Sequence, residues 1–253
     1  MKLVHLILWA GLLAPVILTA RPTPVSVSVL SNDGKFVGSS LGGMQVTIRD
    51  TLSNEILATG KTRGSTGDTE LIMKETRERD KVLRTEGSAR FDASLDLDRP
   101  TRVRIEASGP LAQLQSSATV SETRILIPGK DYSQGNGILI HLPGMVVDVL
   151  SPPAHLKTAA GTSLEIVANV TKMCGCPVGE TTPWPVERYE VEALLYEAGG
   201  ELIRTIPLKY AGEHSRFVAK VTAEELGAYE VIVTAFDPKT KDSGADSTTF
   251  ILE

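Results

Sequence analysis

From Pro24 onward, apolar and polar positions alternate one by one far more often than they recur every three or four residues. Val25, Val27 and Val29 alternate with Ser26 and Ser28, Val46 and Ile48 with Thr47 and Arg49, and Val103 and Ile105 with Arg104 and Glu106. A period of two is what a strand with one buried and one wet face requires. Clusters such as Asn32-Asp33-Gly34, Gly42-Gly43, Ser108-Gly109-Pro110, Gly199-Gly200 and Asp237-Pro238 separate the runs and supply the backbone angles that turns need. Short strands punctuated in this way predict an all-β chain of two consecutive antiparallel β-sandwich domains. Two segments depart from the pattern. Lys74 to Arg84 is charged with few regularly spaced apolar residues, and reads as an exposed hairpin arm or mobile loop. Thr222 to Leu226 hints at one helical turn.

The first residues follow a different rule. Lys2 is followed by an apolar run from Leu3 to Ala20, broken only by His5 and Thr19. One basic residue, an apolar stretch and a small residue at its end are the marks of a secretory signal peptide over residues 1–20. An uncleaved membrane anchor is the rival reading, and Pro15 and the single flanking Lys favour the signal. No later run approaches a membrane span, so the expectation is a protein exported to the periplasm or the extracellular space. A second boundary falls near 143–145, where Ile138 to His141 closes one unit, Leu142-Pro143-Gly144 makes a hinge and Val146 to Val149 opens another strand. The expected domains are therefore 21–143 and 144–253, each of ordinary size.

Composition narrows the function classes. The chain has 253 residues, 42% hydrophobic and 23% charged, enough apolar material for packed cores. Lys plus Arg number 26 against 31 Asp plus Glu, a net charge of −5, which gives no general attraction for nucleic acid. Four His and two Cys leave little material for a multi-metal centre.

Particular stretches carry a family resemblance. Val25–Leu30, Gly43-Met44-Gln45-Val46-Thr47-Ile48, Glu86 to Phe91 and Val103 to Gly109 make residues 25–127 resemble the carboxypeptidase-regulatory or transthyretin-like sandwich of bacterial exported proteins. Residues 146–253 are similar to bacterial immunoglobulin or fibronectin type III-like modules, through Leu226 to Ala235 followed by Asp237. The resemblance implies a tyrosine corner at Tyr229, and binding or scaffolding rather than a reaction. The Lys61–Arg84 insertion and the Cys174–Val186 loop belong to neither pattern.

Met173-Cys174-Gly175-Cys176-Pro177 is the strongest chemical lead. Three readings stand side by side. Export takes the two thiols to an oxidising compartment where they close a disulfide, either structural or redox-active. Two soft thiolates with the Met173 thioether suit Cu(I), although strand alternation points Met173 away from the pair. Or the pair bridges to another chain. Tetrahedral zinc is disfavoured, because no second Cys pair or His pair completes four ligands. His141, His155 and His214 are candidates for remaining ligands only if the fold gathers them. Met44, Met73 and Met145 read as packing residues. Trp184, the sole Trp once Trp9 leaves with the signal, is a candidate partner anchor or a cap on the sandwich core.

Other motifs fail on context. Gly38-Ser39-Ser40-Leu41-Gly42 has the spacing of a hydrolase elbow but lacks the following helix. Gly60-Lys61-Thr62 lacks the preceding Gly and the helix of a phosphate loop. Asp92, Asp96 and Asp98, and Asp237, Asp242 and Asp246, read as solvated strand ends rather than calcium loops. Asn169-Val170-Thr171 fits a glycosylation acceptor but lies inside an apparent strand. The expected function is a non-enzymatic binding or scaffold module acting on another exported or cell-surface protein. The alternative is a copper-binding or thiol-redox accessory protein centred on Cys174 and Cys176.

Overall fold

A computed structural model describes residues 21–253 apart from Arg77 and Arg79; the segment expected to be a signal peptide lies outside the described residues. Residues 21–142 supply strands β1 (Arg21–Ser31), β2 (Gln45–Asp50), β3 (Ile56–Lys61), β4 (Phe91–Leu97), β5 (Thr101–Gly109), β6 (Ala118–Leu126) and β7 (Ile138–Leu142). They form two sheets, ordered β4-β1-β7 and β3-β2-β5-β6. The alternating residues of the sequence face inward between them: Val25, Val27 and Val29 from β1, Val46 and Ile48 from β2, and Val103 and Ile105 from β5 share one core.

Residues 145–252 supply β8 (Met145–Ser151), β9 (Leu156–Thr158), β10 (Ser163–Lys172), β11 (Glu190–Glu197), β12 (Leu202–Pro207), β13 (Lys209–Tyr210), β14 (Arg216–Thr222), β15 (Gly227–Phe236) and β16 (Ser243–Leu252). These make a four-stranded sheet β13-β14-β10-β8 and a five-stranded sheet β12-β11-β15-β16-β9. The fold is all-β and mainly antiparallel. Parallel strand pairing joins β1 to β7 and β9 to β16.

Among its described residues the charged stretch Lys74 to Arg84 is exposed as far as Val82, apart from a partly buried Lys81, as its composition implies; it packs only at its end, through Leu83 and Arg84. The legs of the insertion, through Ile72, Leu83, Arg84 and Ala89, pack on the outer face of the β4-β1-β7 sheet, where Ser26 and Ser28 are buried although they alternate with the core valines. Leu30, Phe36, Leu83 and Ala89 form a small second core there. Arg84 fixes the segment by donating from Nη1 to the Ser26 hydroxyl at 2.6 Å, and Asn136 accepts from the Leu83 N–H at 2.7 Å. Glu70–Lys74 is a single π-helical turn. The two legs approach so closely that a Cβ on Gly64, whose φ is +128°, would lie 2.5 Å from the Gly87 carbonyl oxygen.

The two sandwiches interlock. Val146 and Met173, which lie beyond the hinge, belong to the first core, while Met73 from the insertion packs against the second. Where one helical turn is expected over Thr222 to Leu226, Thr222 closes β14 and Ala223 to Leu226 form an irregular link to β15. The Tyr229 hydroxyl donates to the Glu225 carbonyl at 2.7 Å, tying that link to β15 in a tyrosine-corner arrangement.

Candidate functional site at the junction of the two sandwiches

Strand parity builds the junction. Along β10, Leu164, Ile166, Ala168 and Val170 point into the second core, and the same parity carries Lys172 inward with no exposure. Along β15, Tyr229, Val231, Val233 and Ala235 point inward, and Asp237 follows them to full burial. A buried ammonium needs compensation. Lys172 Nζ lies 3.4 Å from Asp242 Oδ2 and 3.7 Å from Asp237 Oδ2. Asp237 and Asp242 are thus internal counter-ions, correcting their reading as solvated strand ends.

Arg188 extends this cluster to the first sandwich. Its guanidinium binds Asp237 through Nε at 2.9 Å and through Nη2, and its Nη1 donates to Asp33 Oδ2 at 2.6 Å. Asp33 sits on the turn after β1, so one Arg holds carboxylates from both halves of the chain. Asp242 accepts from Asn32 at 3.3 Å and from the hinge N–H of Gly144 at 3.0 Å. Burial alone would raise the Asp237 pKa, but the Arg188 guanidinium, the Thr240 hydroxyl and the Lys239 N–H hold it down at about 2. Burial opposes charge on Arg188 too, yet its bonds to Asp237 and Asp33 raise its pKa. Tyr189 lies beneath the Lys172 and Arg188 cations, and burial pushes its phenol up. Its hydroxyl has no hydrogen-bond partner among the described residues.

The Cys motif ends β10 at this junction. Gly175 takes φ +73°, and the Sγ atoms of Cys174 and Cys176 are joined across it, with Cα atoms 5.3 Å apart. The turn is closed by backbone as well: the Gly175 N–H donates to the Lys172 carbonyl at 2.7 Å, and the Lys172 N–H to the Cys176 carbonyl at 3.1 Å. The first sandwich abuts it. The Lys35 N–H donates to Cys174 Sγ at 3.4 Å, and a Cβ on Gly175 would lie 3.0 Å from Leu41 Cγ. Met173 points into the first core, apart from the two Cys, which pack in the second. Among the described residues, no three His, Cys, Asp or Glu side chains converge to hold a metal ion. His155 bonds Thr249, and His214 packs beside Gly179.

Trp184 is buried in the second core and also donates from Nε1 to the Asp33 carbonyl at 2.6 Å, so it caps the core and touches the first sandwich at once. A groove of about 420 Å³ opens between Trp184, the Cys pair, Lys35 and Thr69. The Lys35 ammonium reaches Thr69 Oγ1 at 2.9 Å, and partial burial lowers its pKa against the opposing pull of Asp68.

Two apparent enzyme motifs resolve into structural turns. Ser40 sits in the 3-10 turn Ser39–Leu41, which leads to β2 and not to a helix. Thr62 is buried, accepting from the Met44 N–H and donating to the Val37 carbonyl, each at 2.9 Å. Asn169 lies within β10, paired on both sides.

A second concavity lies at the opposite end of β15. A cleft of about 410 Å³ is lined by Leu195, Ile203, Ala223 and Leu226, with Glu197, Glu224 and Glu225 against the single cation Arg204. Ile203 and Leu226 are 54% and 72% exposed, so this aliphatic surface faces solvent. Sequence reading missed both the ionic junction and this cleft. The parity that carries Lys172 and Asp237 inward was available as a signal for the first.

No protein-family model matches the chain, and no curated protein matches it in sequence. Similar solved structures include an engineered protein, 17% identical, which covers 51% of this chain with a TM-score of 0.33; this chain spans only 24% of that one. The fibronectin(III)-like modules of Clostridium thermocellum CbhA are 12% identical, with 90% of each chain covered and a TM-score of 0.31. The chicken interferon gamma receptor alpha chain is 12% identical, covering 92% of this chain and 98% of its own, at a TM-score of 0.32. The strand pairing of the chain itself establishes the all-β sandwich fold.

Proposed function

We propose that the chain is an exported, non-enzymatic β-sandwich module that acts through protein–protein contacts. The cleft beside β12 carries this reading. Among the described residues β12 is an edge strand paired with β11, and its half-exposed Ile203 lines the cleft together with the exposed Leu226. An unpaired edge offers main-chain donors and acceptors to an added strand, and contiguous exposed aliphatic surface marks a contact site. The rim holds three carboxylates against one guanidinium. Its complement is an extended segment of a partner protein that alternates apolar with Lys or Arg side chains.

Export is supported by the signal-like pattern of residues 1–20, and among the described residues no helix is long and apolar enough to cross a membrane. We read residues 21–143 as the carboxypeptidase-regulatory or transthyretin-like unit and residues 144–253 as the immunoglobulin or fibronectin type III-like unit, on their sequence resemblances. The ionic junction suits a scaffold, since it fixes the direction in which the cleft is presented.

Immobilised peptides alternating Val with Lys, compared with peptides alternating Val with Glu, test the proposal. The chain is expected to be retained by the first set, and the double variant Ile203→Glu/Leu226→Glu to be released despite its greater negative charge. Equal retention of both sets, or undiminished retention of the variant, overturns it.

A further inference from the structure

The Cys174–Cys176 pair has features that a structural staple does not need. Its ring spans one intervening residue, and closing so short a loop restricts the unfolded chain far less than closing a long one. The turn is already held by the Gly175 and Lys172 N–H bonds to backbone carbonyls and by the bridge between Thr171 and Pro177. Those bonds do not involve sulfur, so they keep the two side chains within reach of each other when the S–S bond is open.

The sulfurs are also unequal. Cys174 is 1% exposed and its Sγ accepts the Lys35 N–H, whereas Cys176 is 5% exposed and its Sγ has no such donor among the described residues. A hydrogen bond to sulfur stabilises a developing thiolate and makes that sulfur the better leaving group. Both residues line the open groove, with Lys35, Thr69, Thr182 and Trp184 around them.

We propose that Cys174 and Cys176 form a redox-active pair that exchanges disulfide with a dithiol segment of another exported protein seated in this groove. A thiolate of the partner attacks Cys176 Sγ. The S–S bond breaks, a mixed disulfide forms, and Cys174 leaves as a thiolate held by the Lys35 N–H until it takes up the proton lost by the attacking thiol. The partner's second thiolate then attacks its own sulfur in the mixed disulfide and releases Cys176. The partner's two thiols become a disulfide, the pair becomes two thiols, and the proton released by the second partner thiol ends on Cys176. This activity is independent of the cleft beside β12, which lies at the other end of the second sandwich.

The test uses the full chain under native conditions. Wild-type protein is equilibrated with mixtures of reduced and oxidised dithiothreitol, quenched with an alkylating agent and weighed intact. The expected result is reversible interconversion of oxidised and doubly alkylated forms, with the thermal transition of the folded chain retained in both. In parallel, the oxidised wild-type chain is treated with reduced glutathione and an alkylating agent, and the mixed disulfide is mapped by digestion. Glutathione is expected on Cys176, with the alkyl group on Cys174, at least about tenfold more often than the reverse. A pair that resists excess dithiothreitol until denaturant is added overturns the proposal. Equal amounts of glutathione on the two Cys overturn the assigned order of attack.

Discussion

Arg188 and Asp33 lie 155 residues apart in sequence, yet Arg188 Nη1 donates to Asp33 Oδ2 at 2.6 Å across the junction of the two sandwiches. The same guanidinium holds Asp237, so a turn of the first half is tied to the buried ionic cluster of the second. Charge-assisted bonds of this kind fix orientation as well as adding energy. A double-mutant cycle of Arg188→Ala and Asp33→Ala is expected to give a coupling of roughly 1–2 kcal/mol. Urea denaturation of the four proteins measures it. Strict additivity of the two single changes would mean that this contact does not hold the halves together.

Acid should loosen the same cluster. Asp237 has a folded pKa of about 2, against about 3.9 for an unfolded Asp. Its folded pKa is depressed, so its contribution is fully present above the unfolded value and is lost as pH falls through the folded one. Stability on the order of 2 kcal/mol should disappear between about pH 5 and pH 2. Asp237→Asn should flatten that part of the profile and cost about 3 kcal/mol at neutral pH, because Lys172 and Arg188 keep their charges and lose a counter-ion. Denaturation midpoints across pH compare the two proteins.

Asp148 has the opposite sign. Burial and the neighbouring Asp246 carboxylate raise its pKa, so the folded state disfavours its charge at neutral pH. Asp148→Asn is expected to raise Tm at pH 7, with the difference shrinking as acid protonates the wild-type group. Thermal scans at neutral and acid pH check this; a Tm lowered by the substitution at pH 7 contradicts it.

The Tyr229 hydroxyl is separable from its ring. The ring stacks on Phe250 with centroids 5.1 Å apart, and the hydroxyl bonds the Glu225 carbonyl. Tyr229→Phe keeps the stack and removes the bond, for an expected loss of about 1 kcal/mol. Hydrogen exchange at residues 223–228 should rise in the variant, because the turn loses its tie to β15.

Much of this architecture is legible along the chain. The period-two runs identify β1, β2 and β5 and the inward faces of their valines and isoleucines, because a strand next to a core must alternate. The same parity runs through β10 to Lys172 and through β15 to Asp237, so the inward placement of these charges is a property of the sequence. Their compensation is not. Lys172 meets Asp242 and Arg188 meets Asp33 only because strand ends from different parts of the chain arrive at one junction. Nor does alternation say what covers the second face of β1. Ser26 and Ser28 read as wet, yet they are buried on the face where Leu83, Arg84 and Ala89 pack. The pairing of β1 with β7 in parallel is equally silent, since parallel and antiparallel neighbours impose the same alternation. Local pattern records which side of a strand is apolar. Which partner meets that side, and which charge neutralises another, depends on distances through space that close only when the whole chain has folded.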